Sequence, residues 1–109
     1  MKRLILTLAL LSPLAASAAS FDCQKARAED EKAICAHLSL NDKDVEMATK
    51  YQFLKGLFAM GGRGAIQDAQ QSWLKTRRQC GGNLSCLTQA YDQRLKQLDE
   101  MYANINKPL

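Results

Sequence analysis

Residues 66–98 read IQDAQQSWLKTRRQCGGNLSCLTQAYDQRLKQL. Ile66, Ala69 and Trp73 recur at three- and four-residue steps, the spacing of one helix face. The pattern stops at Gly81-Gly82-Asn83 and resumes with Leu84, Leu87, Tyr91 and Leu98. Two amphipathic helices joined by a short glycine turn lie antiparallel. Asn83 stands where the second helix needs a cap for its free amides. Cys80 and Cys86 flank the turn and can staple it. This stretch predicts a helix over 65–79 and another over 84–104, whose apolar stripe continues through Met101 to Ile105.

The pattern extends towards the N-terminus. Met47, Tyr51, Leu54 and Phe58 form a stripe on a helix expected over 40–59, with Gly56 inside it. Ser39 followed by Asp42 is the signature of a capping box at its start. Gly61, Gly62 and Gly64 read as a flexible turn before the next helix. A short helix is expected over 29–36, led in by residues 21–28. After residue 19 the only valine is Val45, the only isoleucines are Ile34, Ile66 and Ile105, and the only proline is Pro108. Strand formers are too few for a sheet. The expected fold is all-α: a small antiparallel helical bundle of three main helices plus a short N-terminal helix, stapled by two disulfides.

The chain has 109 residues and a net charge of +4, enough for one domain and too few for a doubly wound sheet or a barrel. Its opening, MKRLILTLALLSPLAASAAS, reads as a signal peptide. Lys2 and Arg3 give the positive end, 5–11 the apolar core, and Ala16-Ser17-Ala18 a small-residue cleavage motif. We assign 1–19 to the signal peptide and 20–109 to the helical domain. The chain is then exported to the periplasm or secreted. No cysteine directly follows the cleavage motif, so no membrane anchor is expected after cleavage. Without Lys2 and Arg3 the net charge falls from +4 to +2. So small a balance points to no nucleic-acid partner.

Cys23, Cys35, Cys80 and Cys86 make an even set in a small exported domain, which suggests two disulfides. Three pairings can be drawn, and the short spacings favour Cys23–Cys35 and Cys80–Cys86. Zinc would want Cys-x2-Cys spacing and a reducing compartment. No metal and no cofactor is expected.

Catalytic constellations are lacking. His37 is the one histidine, and no Ser/His/Asp or Cys/His set or HExxH motif accompanies it. Asp30-Glu31 and Asp99-Glu100 are adjacent pairs whose side chains point in different directions on a helix, unlike glycosidase carboxylates facing a cleft. The chain reads as a binding module and not an enzyme.

Three charges interrupt the apolar stripes. Asp44 lies three before Met47, Arg77 four after Trp73, and Arg94 three after Tyr91. A buried charge must be paired or it is expensive. These residues form an internal ion-pair network, line a basic cleft that takes a carboxylate from a partner, or sit at an exposed edge with no role. Arg77 and Arg94 are accordingly candidate partner-binding residues. Arg63 is another, as an exposed cation in the glycine-rich loop, and Lys55 or Arg78 could serve equally. Asp44, Tyr51, Trp73 and Tyr91 are expected in the structural core.

At these residues the chain resembles the LprI-type lysozyme inhibitor family. The blocks are Ser20-Phe21-Asp22-Cys23-x-Lys25-Ala26 and Glu31-Lys32-Ala33-Ile34-Cys35; Leu40, Asp44, Met47 and Tyr51; and Gln70, Trp73-Leu74, Arg77, Cys80, Cys86-Leu87, Tyr91 and Arg94-Leu95. Lys43 departs from the family, which usually has an apolar residue before Asp44. The resemblance implies a helical, disulfide-bonded envelope protein whose partner is lysozyme or a bacterial cell-wall hydrolase. The alternative is a non-inhibitory envelope interaction module. A net charge of +2 gives no long-range attraction to a cationic lysozyme, which leaves two routes: insertion of a basic side chain among the enzyme's carboxylates, or a less basic bacterial hydrolase, self-made or delivered by a competitor, as the target.

Overall fold

The computed structural model describes residues 19–58 and 60–105. The leader reading, apart from Ala19, and Pro108 lie outside them. A 3₁₀ turn at Cys23–Lys25 precedes α1 (Glu29–Ala36), α2 (Leu38–Leu57), α3 (Met60–Gln79) and α4 (Leu84–Ile105). No strand occurs among the described residues. The all-α bundle and both local disulfides, Cys23–Cys35 and Cys80–Cys86, are as the spacing predicted.

α1 opens without a side-chain cap, but Glu29, Asp30 and Glu31 fill its first turn, where carboxylates offset the helix dipole. His37 ends α1 and begins α2 in one extended residue (φ −122°, ψ 115°). Its amide donates to the Ala33 carbonyl and its carbonyl accepts from the Asn41 amide. α2 therefore starts at Leu38, and Ser39 lies inside its first turn instead of capping it. The capping-box expectation fails because this corner leaves no free residue between the two helices.

The glycine-rich segment differs too. Gly61, Gly62 and Gly64 fall within α3, which starts at Met60 and not at Ala65. Gly62 has a packing reason to lack a side chain: a Cβ there would stand 2.8 Å from Phe58 Cδ2. The glycine lets the end of α2 close onto the start of α3. At the other end of α3, Gly81 turns the chain with φ +57°, the left-handed conformation that glycine adopts without strain. Asn83 Oδ1 then accepts from the Cys86 amide at 2.9 Å and caps α4.

α4 packs chiefly on α2, with α3 across both and α1 against α2. The core joins Ile34, Leu40, Met47, Leu54, Trp73, Leu87, Ala90, Tyr91, Leu95 and Leu98, with Tyr51 and Phe58 half-buried at its edge. Ala69, Leu84 and Ile105 are exposed, contrary to the stripe reading. Ala69 lies on the α3 face beside a groove, and Leu84 and Ile105 are the end residues of α4, beyond the reach of α2 packing.

Candidate functional site

The three stripe-breaking charges are all buried, and they divide into two arrangements. Asp44, Arg77 and Tyr91 meet in the first, with Asp30 from α1. Arg77 Nε donates to Asp30 Oδ2 at 2.9 Å, and Arg77 Nη1 lies 3.3 Å from the Tyr91 hydroxyl. The Tyr91 hydroxyl donates to Asp44 Oδ1 at 2.7 Å, and Arg77 Nη1 is 3.8 Å from that oxygen. Asp30 and Asp44 are 1% and 0% exposed. Burial alone would lower the Arg77 pKa, but Tyr91 and Asp30 outweigh it and hold the proton more firmly than usual. Burial, then the Asp44 charge, pushes the Tyr91 hydroxyl far above its ordinary pKa. The rings of Phe21 and Trp73 flank the guanidinium, 5.4 and 5.9 Å from its carbon. Each residue here bonds to another member, though Asp30 Oδ1 is buried without a hydrogen-bond partner among the described residues, and the cluster ties α1, α2, α3 and α4 together.

Asp30 as a member of this cluster is missed by the sequence reading, which weighed it only beside Glu31. A signal existed: Asp30 lies four before Ile34, on the buried face of α1.

Arg94 belongs to the second arrangement. Its Nε donates to Gln70 Oε1 at 3.1 Å and its Nη1 to Gln97 Oε1 at 3.2 Å. Both partners are neutral. Among the described residues no carboxylate lies within 4.0 Å of its guanidinium. Nη2 is buried with no partner at all. Burial accordingly lowers the Arg94 pKa, though the group keeps its charge at neutral pH. Gln70 is pinned in turn by Nε2 donating to Met47 Sδ at 3.1 Å.

Arg94 lines a groove of about 300 Å³ between α3 and α4, with Ser72, Trp73, Thr76, Gln93 and Gln97. Trp73 forms its rigid wall: the indole N–H donates to the Ala90 carbonyl at 3.0 Å and the ring meets Tyr91 edge-on at 5.0 Å. Gln97 is exposed and lies over Arg94. Arg94 itself is 2% exposed, so the Gln97 carboxamide has to swing aside before any group in the groove can meet the guanidinium.

A drier groove of about 200 Å³ lies between α2 and α4, lined by Phe53, Leu54, Leu98 and Tyr102. Its charged rim is already paired, Lys50 Nζ lying 2.7 Å from Asp99 Oδ1, so it holds no unsatisfied charge. Arg63 sits on α3, exposed, with Nε donating to the Lys55 carbonyl at 3.3 Å. It stands on a helix and not in the expected loop, and it lines neither groove.

A family model described as lysozyme inhibitor LprI matches residues 23–98. The chain belongs to the LprI lysozyme inhibitor family. The match spans the buried cluster, both disulfides and the Arg94 groove. No match was found among curated proteins or among solved structures. This LprI-family chain is of an inhibitor family, not an enzyme family, and its disulfides suit an oxidising compartment. No described helix is long and apolar enough to cross a membrane.

Proposed function

We propose that this protein is an exported, non-enzymatic inhibitor of a lysozyme or related peptidoglycan hydrolase, acting in the periplasm or outside the cell. In this reading the α3–α4 groove receives a carboxylate of the enzyme on Arg94. The observation that carries it is the buried Arg94 guanidinium, held by two neutral carboxamides and with Nη2 unpartnered. A buried cation without an anion is costly to the fold alone. A carboxylate entering the groove relieves that cost on binding. Glycoside hydrolases offer the matching group, because their chemistry uses a pair of carboxyl side chains in a cleft.

The same arrangement gives selectivity. The Trp73 wall and the hydroxyls of Ser72 and Thr76 limit what can approach Arg94. With so small a net charge, affinity comes from short-range pairing and not from long-range steering, so it falls little with added salt.

The test is a cell-wall lysis assay. Oxidised protein is titrated against several lysozyme types and several bacterial hydrolases. Saturable inhibition of one class near stoichiometric dose supports the reading. Absence of inhibition across the panel, by protein shown to be folded, overturns it in favour of a non-inhibitory envelope interaction module.

A further inference from the structure

Among the described residues the buried cluster is one positive charge short. Asp30 and Asp44 are both buried, and Arg77 is the described cation that faces them. Tyr91 is neutral, and Asp30 Oδ1 has no partner. Two buried carboxylates against one guanidinium leave a net negative charge in a dry site, which is expensive. The remaining contact of Asp44 is with the main chain: the Ser20 nitrogen donates to Asp44 Oδ2 at 2.6 Å.

Ser20 is also where the leader reading ends. Ser17 and Ala19 place small residues at the two positions that a leader peptidase reads, as Ala16 and Ala18 do one residue earlier. Sequence alone does not choose between these cuts, but the charge deficit does. We infer that processing falls between Ala19 and Ser20, and that the new α-ammonium of Ser20 is the missing cation of the cluster, paired with Asp44.

Water hydrolyses the Ala19–Ser20 peptide bond: its oxygen joins Ala19, which leaves with the leader as a carboxylate, and both of its protons end on the Ser20 nitrogen, which goes from N–H to NH3+. A neutral amide donor on Asp44 becomes a charged one, roughly twice as strong. A cut after Ala18 instead leaves the Ser20 nitrogen an amide.

The position of Ser20 is held independently of that nitrogen. Phe21 stacks on Arg77, Asp22 Oδ1 accepts from the Gln24 amide at 2.9 Å, and Cys23 is bonded to Cys35 of α1. The ammonium therefore arrives at a prepared carboxylate. The inference rests on the leader reading and stands apart from the Arg94 groove.

Three measurements test it. Intact mass of the exported, oxidised protein should give a chain starting at Ser20; a start at Ala19 overturns the assignment. Chains starting at Ser20 and at Ala19 should differ in thermal midpoint, with the Ser20 chain roughly 4–8 °C higher. The difference should vanish when both carry Asp44→Asn; equal midpoints, or a difference that survives the substitution, overturn the pairing. Acylation of the Ser20 α-amine at neutral pH needs no variant. It should be at least tenfold slower in the native chain than after reduction and unfolding, and equal rates overturn the pairing.

Discussion

Arg77 Nε and Asp30 Oδ2 meet at 2.9 Å across 47 residues of sequence, from α3 to α1. Arg94, also buried, has no such partner among the described residues, where it reaches the carboxamides of Gln70 and Gln97. The two arginines look alike in sequence, each at a helical step from an aromatic core residue. One is bound to internal acids and the other leaves a charge without an internal acid.

Arg77→Met is therefore expected to destabilise the fold by about 3–5 kcal/mol, because Asp30 and Asp44 stay buried without their cation. Urea unfolding of the oxidised protein checks this. A loss under about 1 kcal/mol would mean that the cluster contributes little to the fold.

Arg94→Met should keep the fold, with stability within about 1 kcal/mol of the parent, because removing an uncompensated charge offsets the lost hydrogen bonds. Inhibition should fall at least tenfold. Circular dichroism and the lysis assay together separate this outcome from simple unfolding.

Gln97→Glu places a carboxylate where the carboxamide now accepts from Arg94 Nη1. It should raise the unfolding midpoint and weaken inhibition, because the groove's cation is then internally paired. A variant that is more stable and still fully inhibitory would contradict the role given to Arg94.

Removing either disulfide by paired Cys→Ala substitution should cost roughly 2–3 kcal/mol, for loops of 12 and 6 residues. Alkylation of the native protein should modify no cysteine until it is reduced. Mass spectrometry reads both states.

Stability should fall as pH rises above about 10, the ordinary tyrosine pKa. The Tyr91 pKa is raised by burial and by Asp44, so the unfolded chain releases this proton first. Unfolding is then favoured by up to roughly 1.4 kcal/mol for each pH unit. The slope, from denaturant midpoints between pH 9 and 11.5, should be shallower in Tyr91→Phe.

The fold was largely legible because helical periodicity and cysteine spacing are local signals. α1 and the Gly81-Gly82-Asn83 turn lie where the spacing put them. The start of α3 did not, because three glycines near one another read as a turn, and only the approach of Phe58 to Gly62 explains a helix there. Ser39 failed as a cap for a tertiary reason: His37 serves α1 and α2 together. For the site, the stripe positions of Asp44, Arg77 and Arg94 announced buried charge. Which carboxylate paired with which arginine depended on contacts between helices distant in sequence, such as Arg77 with Asp30 across 47 residues, beyond the reach of any local pattern.

The most direct test of the central claim is the lysis titration run side by side with parent, Arg94→Met and Gln97→Glu proteins, all shown to be folded and oxidised. Inhibition by the parent near stoichiometric dose, lost at least tenfold in both variants, is the predicted result. Equal inhibition by all three would contradict the claim that Arg94 receives the enzyme's carboxylate.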